Sequence, residues 1–176
     1  MKHLVLVGLP GSGKTTVGRA AAKQAQLPFL DFDEEIERRT GLAPSEFFRL
    51  RGEPAFRSEE LALSRELVGG KRHTIVVAPG GGWIAQEAAR KALRPQAVLV
   101  YLKVTPGVAL ARLGEGAQLR PLLVGADPVA RLTHLLQIRE PFYESADHVI
   151  DTEAVDFQAL TKHVARLARQ AQGASS

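Results

Sequence analysis

The sequence predicts an α/β fold in which a parallel β-sheet carries helices on both faces. Five short runs rich in β-forming residues recur along the chain, at 4–7, 29–32, 74–78, 98–102 and 148–150. Between them lie stretches whose apolar residues follow helical spacing. Strands that alternate with helices form a parallel sheet, and ligands bind beyond the carboxyl ends of its strands. Functional residues are therefore expected directly after each run.

Length and composition fit one globular domain. The chain has 176 residues, of which 45% are hydrophobic and 24% are charged, and this usage is ordinary for a domain with its own core. We expect the domain to cover 1–172, followed by a frayed tail at 173–176. The apolar run at 4–7 is too short for a signal sequence or a membrane span, so we expect a cytoplasmic protein.

Charge and cysteine content narrow the function classes. With 23 Lys and Arg residues against 19 Asp and Glu residues, the net charge is +4, which suits an anionic ligand without requiring a nucleic acid. The sequence holds no cysteine, and this excludes disulfides, thiolate catalysis and cysteine-ligated zinc. The 5 histidines lack the spacing of metal ligands, so we expect no histidine metal site.

Start and stop signals locate several helices. Asp127-Pro128 pairs an N-cap residue with a first-turn proline, and Pro141 is expected to end the helix that follows. Glu53-Pro54 begins a second helix, which runs to about residue 68 and is closed by Gly69-Gly70. A short helix at 34–39 is expected after the second strand.

The segment after the first run carries the strongest functional motif. Residues 8–15, Gly-Leu-Pro-Gly-Ser-Gly-Lys-Thr, fit the phosphate-binding loop (P-loop) pattern G-x-x-x-x-G-K-[ST] at every fixed position. Its glycines let backbone N–H groups turn inward on a polyanion, and the following helix adds its positive dipole end. The lysine of such a loop reaches the β- and γ-phosphates, and its threonine ligates Mg²⁺. The predicted nucleotide-binding residues are Gly11, Ser12, Gly13, Lys14, Thr15 and Thr16.

A P-loop leaves the reaction open, because GTPase switches, motors and small-molecule kinases all have one. Asp31 and Asp33 close the second run, and residues two apart in an extended segment point to the same face. Both carboxylates then point into the ligand crevice beyond the carboxyl ends of the strands, where one binds a metal ion and the other contacts a hydroxyl group. The alternative is that this pair forms a turn and an N-cap for the helix at 34–39.

Three charged residues fall on helix faces that are otherwise apolar. Arg139 lies on the apolar stripe of its helix, and Glu60 lies on an inward face one turn from Arg57. A buried guanidinium is costly without an anion, and two arginines against one glutamate leave a surplus positive charge. This surplus suits a substrate carboxylate. Structural ion pairing among the three residues is the alternative.

Two further segments are candidates for ligand binding. Gly80, Gly81 and Gly82 follow the third run and allow a ligand to approach the backbone closely, although a plain tight turn is the alternative. A glycine-interrupted stretch at about 113–125 has no periodicity, which predicts a mobile loop or lid. Arg120 in this lid is placed to fold over the phosphates, with a solvated loop arginine as the alternative.

Together these motifs resemble the shikimate kinase family, in the family's order, from residue 4 to about residue 170. The resemblance rests on 8–18, Asp31-x-Asp33, Phe56-Arg57-x-x-Glu60, Gly80-Gly81-Gly82, Arg120-Pro121-Leu122-Leu123 and Arg139-x-Pro141-x-Tyr143. It implies a P-loop fold like that of nucleoside monophosphate kinases, with three αβα layers, a five-stranded parallel sheet and a lid. It also implies transfer of the γ-phosphoryl group of ATP to the 3-hydroxyl group of shikimate, in the pathway to chorismate and the aromatic amino acids.

The same resemblance assigns roles to the residues expected around the substrate. Asp33 would bind the shikimate hydroxyl groups and act as base. Arg57 and Arg139 would clamp the substrate carboxylate, and Glu60 would orient Arg57. The glycines at 80–82 would line the ring of the substrate.

On the ATP side, the resemblance makes Lys14 and Arg120 catalytic residues that neutralise phosphate charge. Thr15 would ligate Mg²⁺, and Asp31 would hold the same ion through water. Arg112, at the start of the lid, resembles the arginine that stacks on adenine in this family.

Two alternatives to this activity remain open at the level of the sequence. A kinase for another small polyol acid such as gluconate would share the P-loop and the chain length. A nucleotide-dependent regulatory protein without catalysis would share the P-loop alone. For the activity that the resemblance implies, we expect a monomer whose partners are shikimate and ATP, with no nucleic acid and no membrane among them.

Overall fold

Parallel strands form one sheet in the structure, a computed structural model that describes residues 1–70, 73–119, 123 and 127–173. Val5, on the central strand, is in register with Val77 on one side and with Leu99 on the other. The five-stranded parallel sheet confirms the predicted fold class. In spatial order its strands are β2 (Phe29–Asp31), β3 (Val76–Ala78), β1 (His3–Val7), β4 (Ala97–Lys103) and β5 (His148–Asp151).

Helices connect successive strands, as the alternating pattern predicts. None of the helices in the described ranges combines the length and apolar character needed to cross a membrane. Short 3₁₀ helices cover Trp83–Ala85, Arg94–Gln96 and Gly114–Leu119. The α-helices are α1 (Lys14–Ala25), α2 (Phe32–Thr40), α3 (Pro44–Gly70), α4 (Glu87–Leu93), α5 (Pro106–Leu113), α6 (Pro128–Tyr143) and α7 (Phe157–Gly173).

The centre of the sheet is buried on both faces, because the side chains of its central strands alternate between two hydrophobic cores. The edge strand β5 buries only Ile150. Val5 faces one core, which α3 completes with Phe56. Leu6 faces the other core, which α7 completes with Val164. Each large apolar side chain buried in this way contributes roughly 1.5–3 kcal/mol. Covered faces leave the carboxyl ends of the strands as the place where a ligand can reach the sheet.

The strand order places the P-loop (residues 8–15) at the middle of that edge. Because β1 lies between β3 and β4 in the sheet, the chain leaves it at the centre, between the ends of two neighbouring strands. Segments that follow β2 and β3 therefore converge on the same crevice.

The helix predicted from Glu53-Pro54 is the second half of a longer helix. Gly52 has non-helical backbone angles (φ 79°, ψ 166°) that break α3 directly before this start signal. The turns at 44–51 are not predicted by the sequence, and the helix extends beyond residue 68 to Gly70. Exposed glycines at a helix end cost only about 1 kcal/mol each, which the long packed helix offsets.

The prediction that Pro141 ends its helix is wrong, because α6 continues to Tyr143. A proline removes one backbone hydrogen bond, and close to a helix end few further bonds depend on it. Glu144 N still donates to the carbonyl oxygen of Glu140 at 2.8 Å. The ring of Tyr143 stacks on Tyr101 with their centroids 4.9 Å apart, and this packing holds the last turn in place.

The segment predicted as an irregular lid is partly regular. Its first half forms the 3₁₀ helix Gly114–Leu119, and Leu123 is buried in the same core as Val5. Arg120, the lid arginine of the sequence prediction, lies outside the described residues.

Candidate functional site

A cavity of about 430 Å³ opens above the P-loop. The helix α1 begins at Lys14, and its N-cap is Gly13, whose left-handed backbone (φ 94°) carries no capping side chain. The first N–H groups of α1 thus remain available to an anion. Lys14 Nζ donates to the carbonyl oxygens of Gly8 and Leu9, both at 2.9 Å. All six predicted nucleotide-binding residues, 11–16, line this P-loop cavity.

Two oxygen ligands suited to Mg²⁺ lie together at one wall of the P-loop cavity. Thr15 Oγ1 donates to Asp31 Oδ2 at 2.6 Å. Within the described ranges, no three His, Cys, Asp or Glu side chains form a cluster that could hold an ion. Magnesium usually takes one or two protein oxygens and completes its shell with water and phosphate, so a hydroxyl group beside a carboxylate fits this ion.

Asp31 also caps the helix that follows it. Its Oδ1 accepts hydrogen bonds from the backbone N–H groups of Asp33 at 2.9 Å and Glu34 at 3.3 Å. The sequence left a capping role and a site role as alternatives. The structure shows the capping role for Oδ1, while Oδ2 faces Thr15 in the P-loop cavity.

Asp33 enters the crevice for a reason that the sequence argument missed. The strand β2 ends at Asp31 and α2 begins at Phe32, so the extended spacing expected for the two carboxylates is wrong. Asp33 lies in the first helical turn, and it nevertheless lines the P-loop cavity together with a second cavity beside it.

The second cavity also has a volume of about 430 Å³. Arg57 reaches it from α3 and Arg139 from α6, so we call it the arginine cavity. It shares Asp33, Gly80, Gly81 and Leu113 with the P-loop cavity. The two spaces therefore meet at one carboxylate, one backbone turn and one apolar side chain.

Glu60 pairs with Arg57 behind the wall of the arginine cavity. Arg57 Nη1 donates to Glu60 Oε2 at 2.7 Å, and Glu60 is fully buried. Burial raises the pKa of the Glu60 carboxyl group to about 7, and the neighbouring Arg57 guanidinium opposes this rise. Gln86 Nε2 donates to the same Oε2 at 2.5 Å. The structure therefore brings Arg57 and Glu60 together as the sequence predicts.

Arg139 is buried, with 6% of its surface exposed. Its Nη1 donates to the carbonyl oxygen of Gly81 at 2.9 Å, and Tyr143 Oη donates to the same oxygen at 3.3 Å. This contact fixes one guanidinium nitrogen, and Arg139 also forms part of the wall of the arginine cavity.

The glycines after β3 serve protein side chains as well as a cavity wall. An added Cβ at Gly80 would lie 2.6 Å from Glu60 Oε1, and one at Gly82 would lie 2.1 Å from Arg57 Nη2. The side of Gly80 and Gly82 on which a Cβ would stand is thus occupied by the ion pair, while Gly80 and Gly81 line both cavities and Gly82 lines the arginine cavity.

Arg112 lies at the end of α5 and lines the P-loop cavity. Its Nη1 and Nη2 donate to Thr152 Oγ1 at 2.8 Å and to the Thr152 carbonyl oxygen at 3.0 Å. Sequence reasoning missed Thr152, although it directly follows β5, where functional residues are expected. It also missed Gln86, for which the sequence carries no comparable signal.

Comparison with known proteins identifies similar chains along most of this sequence. A family model described as shikimate kinase matches residues 10–168. A shikimate kinase of Chromobacterium violaceum is 44% identical over 151 residues, which cover 85% of this chain and 80% of that relative. The solved structure of a shikimate kinase from Acinetobacter baumannii in complex with shikimate superposes with a TM-score of 0.87 at 37% identity, covering 97% of this chain and 94% of that one. A gluconokinase from Sinorhizobium meliloti shares the fold, with a TM-score of 0.59 at 21% identity over 99% of this chain and 98% of its own.

Proposed function

The chain belongs to the shikimate kinase family and is an ATP-dependent phosphotransferase that acts on shikimate, and we propose that its two adjoining cavities divide this task. The P-loop cavity takes the ATP phosphates, and the arginine cavity takes the acid. The γ-phosphoryl group passes to the 3-hydroxyl group of shikimate, which yields shikimate 3-phosphate and ADP.

The position of Asp33 is the observation that carries this division. Asp33 lines both cavities, so a phosphate tail in one and a hydroxyl group in the other meet at its carboxylate. A general base has to lie within hydrogen-bond reach of the proton that it removes. In our proposal Asp33 orients the attacking hydroxyl group and accepts its proton, and positioning of this kind supplies much of the rate in phosphoryl transfer.

The P-loop side supplies charge neutralisation. The N–H groups at the start of α1 and the Lys14 ammonium group hold the phosphate oxygens, and we assign Arg120 to the transferred group as charge develops there. Thr15 and Asp31 would hold Mg²⁺, whose positive charge offsets that of the β- and γ-phosphate oxygens. Arg112 would stack on the adenine from the end of α5.

The arginine cavity binds an anionic acceptor through two guanidinium groups. Arg57 is already paired with Glu60 and Glu53, whereas Arg139 forms no ion pair among the described residues. Arg139 therefore presents the positive charge that suits a carboxylate, which a guanidinium group binds with two parallel hydrogen bonds. Gly80, Gly81 and Gly82 line the substrate ring, and lid closure at about 113–125 excludes water from the transfer.

We also infer that residues 1–172 act as a single domain and that the enzyme is a cytoplasmic monomer. Size-exclusion chromatography with light scattering measures this state directly.

A coupled assay of ADP release tests the function and its main alternative. With shikimate and gluconate offered separately, we expect turnover on shikimate to exceed that on gluconate by orders of magnitude. Asp33→Asn is expected to lose at least 100-fold in kcat, since general acid–base catalysis contributes roughly 100-fold or more, while ATP affinity changes little. Comparable rates on gluconate would overturn the assigned substrate, and near-normal turnover of the variant would remove Asp33 from the proposed role.

A further inference from the structure

Gln86 occupies a helix N-cap position without capping its helix. It precedes α4 with an extended backbone (φ −83°, ψ 103°), and its side chain accepts no N–H of that helix. N-cap positions favour short side chains such as serine or aspartate, which reach those N–H groups. The Gln86 side chain instead points inward, where its Nε2 donates to Glu60 Oε2 at 2.5 Å.

Glu60 has few groups that can stabilise its charge. On its own helix, α3, it faces Arg57, whose other nitrogens donate to Glu53 at 2.7 and 3.0 Å. From α2 it faces the like charge of Asp33. Among the described residues, Glu60 Oε1 accepts no hydrogen bond. The stabilising contacts therefore converge on Oε2, and Gln86 provides the one that is neutral.

We propose that Gln86 is a positioning residue for the arginine cavity, because its amide fixes the Glu60 carboxylate in the orientation that aims the Arg57 guanidinium group at the substrate. This role rests on the proposed function, in which Arg57 binds the shikimate carboxylate. Gln86 itself is not among the residues that line the two cavities.

Two physical effects make this contact matter. Arg57 and Gln86 share one acceptor oxygen, so removing the amide frees the carboxylate to rotate about its terminal torsion, which is broad for glutamate. Burial already raises the pKa of Glu60 to about 7, and the Gln86 hydrogen bond opposes that rise. Without the amide, Glu60 is neutral over more of the neutral pH range and holds Arg57 less firmly.

The variant Gln86→Met tests this role, because methionine has nearly the same length and volume but donates no hydrogen bond. We expect the KM for shikimate to rise about tenfold at pH 7, with kcat at saturating shikimate and the KM for ATP within about twofold of wild type. In the pH profile of kcat/KM for shikimate, the midpoint of the acidic limb should move to higher pH than in wild type.

Gln96→Met is the matched control. Gln96 is also half-buried, and its Nε2 donates to the Val68 carbonyl oxygen at 3.4 Å, away from both cavities. This variant should keep the wild-type KM and the wild-type midpoint. A structural effect of replacing a partly buried glutamine would appear in both variants.

Carboxyl ¹³C NMR supplies a readout that does not depend on turnover. The Glu60 resonance, assigned by its loss in Glu60→Gln, should titrate at higher pH in Gln86→Met than in wild type. A wild-type enzyme that turns over shikimate, together with a Gln86→Met enzyme of unchanged KM and unchanged Glu60 titration, overturns the role of Gln86 alone. A wild-type enzyme without shikimate-dependent ADP release overturns the proposed function and this role with it.

Discussion

Replacement of Gly82 by alanine should move the Arg57 guanidinium group without disturbing the backbone. Gly82 has right-handed helical angles (φ −88°, ψ −13°), which alanine adopts readily. The added Cβ would lie 2.1 Å from Arg57 Nη2, 2.5 Å from Cζ and 2.7 Å from Nη1. Ordinary contacts between such atoms need about 3.5 Å, so the group has to retreat by about 1 Å or more.

The size of the effect follows from the hydrogen bonds that Arg57 makes in place. A hydrogen bond to a charged group contributes roughly 1.5–3 kcal/mol. Loss of one such bond to the substrate carboxylate raises the KM for shikimate roughly 10- to 150-fold at 1.4 kcal/mol per factor of ten. The fold should persist, because the displaced atoms belong to the end of a flexible side chain.

Steady-state kinetics with shikimate varied at saturating ATP measures this change. The control is Gly69→Ala in the exposed last turn of α3, where an added Cβ meets no atom within 4 Å. Circular dichroism at matched concentration verifies that both variants fold. A Gly82→Ala enzyme with the same KM as the Gly69→Ala enzyme would refute the inference that this glycine makes room for Arg57.

Three further substitutions test the packing and the electrostatics around the site. His3→Leu should lower the free energy of unfolding by about 1–3 kcal/mol in urea titrations while leaving the KM values unchanged, because the buried ring of His3 bonds the Leu67 carbonyl and the Ile75 N–H, both at 3.2 Å. Tyr101→Phe should keep or raise the Tm measured by calorimetry, since among the described residues the buried Tyr101 hydroxyl has no hydrogen-bond partner and its loss removes a desolvation cost. As the pH rises from 4.5 to 8.5, the free energy of unfolding of wild type should fall by about 3 kcal/mol relative to that of Glu60→Gln. The reason is that the pKa of Glu60 is raised to about 7, so the folded state holds the carboxyl proton more tightly than the unfolded chain does. If the free energies of unfolding of wild type and Glu60→Gln change equally with pH across this range, Glu60 does not carry a buried charge.

The predictable features of the fold are those written in local sequence. The glycine pattern of 8–15 and the alternation of apolar runs with helical stretches arise within short windows, and both agree with the structure. The predicted helix boundaries are wrong where tertiary packing overrides a local sequence signal. Pro141 is the example, since the stacking of Tyr143 on Tyr101 retains a turn that proline alone would end.

The site was predictable where a residue violates the pattern of its own helix. Arg139 and Glu60 stand out as charges on apolar faces, and both are buried where the sequence places them. Gln86 violates no pattern, because its partner Glu60 lies 26 residues earlier on another helix. Thr152 likewise depends on Arg112, which lies 40 residues before it. Contacts of this range require the folded arrangement of helices around the sheet.

The buried charge of Glu60 links stability to substrate binding. A carboxylate with its pKa raised to about 7 lowers the stability of the fold at neutral pH, and a buried ion pair is rarely a stabilising device compared with apolar packing. The same charge holds the Arg57 guanidinium group against Gly82, at the wall of the arginine cavity. A neutral residue at this position would give a more stable protein in which the guanidinium group lacks a fixed direction. Gln86 reduces this opposition between stability and binding, because its hydrogen bond favours the charged form of Glu60. As a neutral group, it adds no charge that would compete with Arg57 for the substrate.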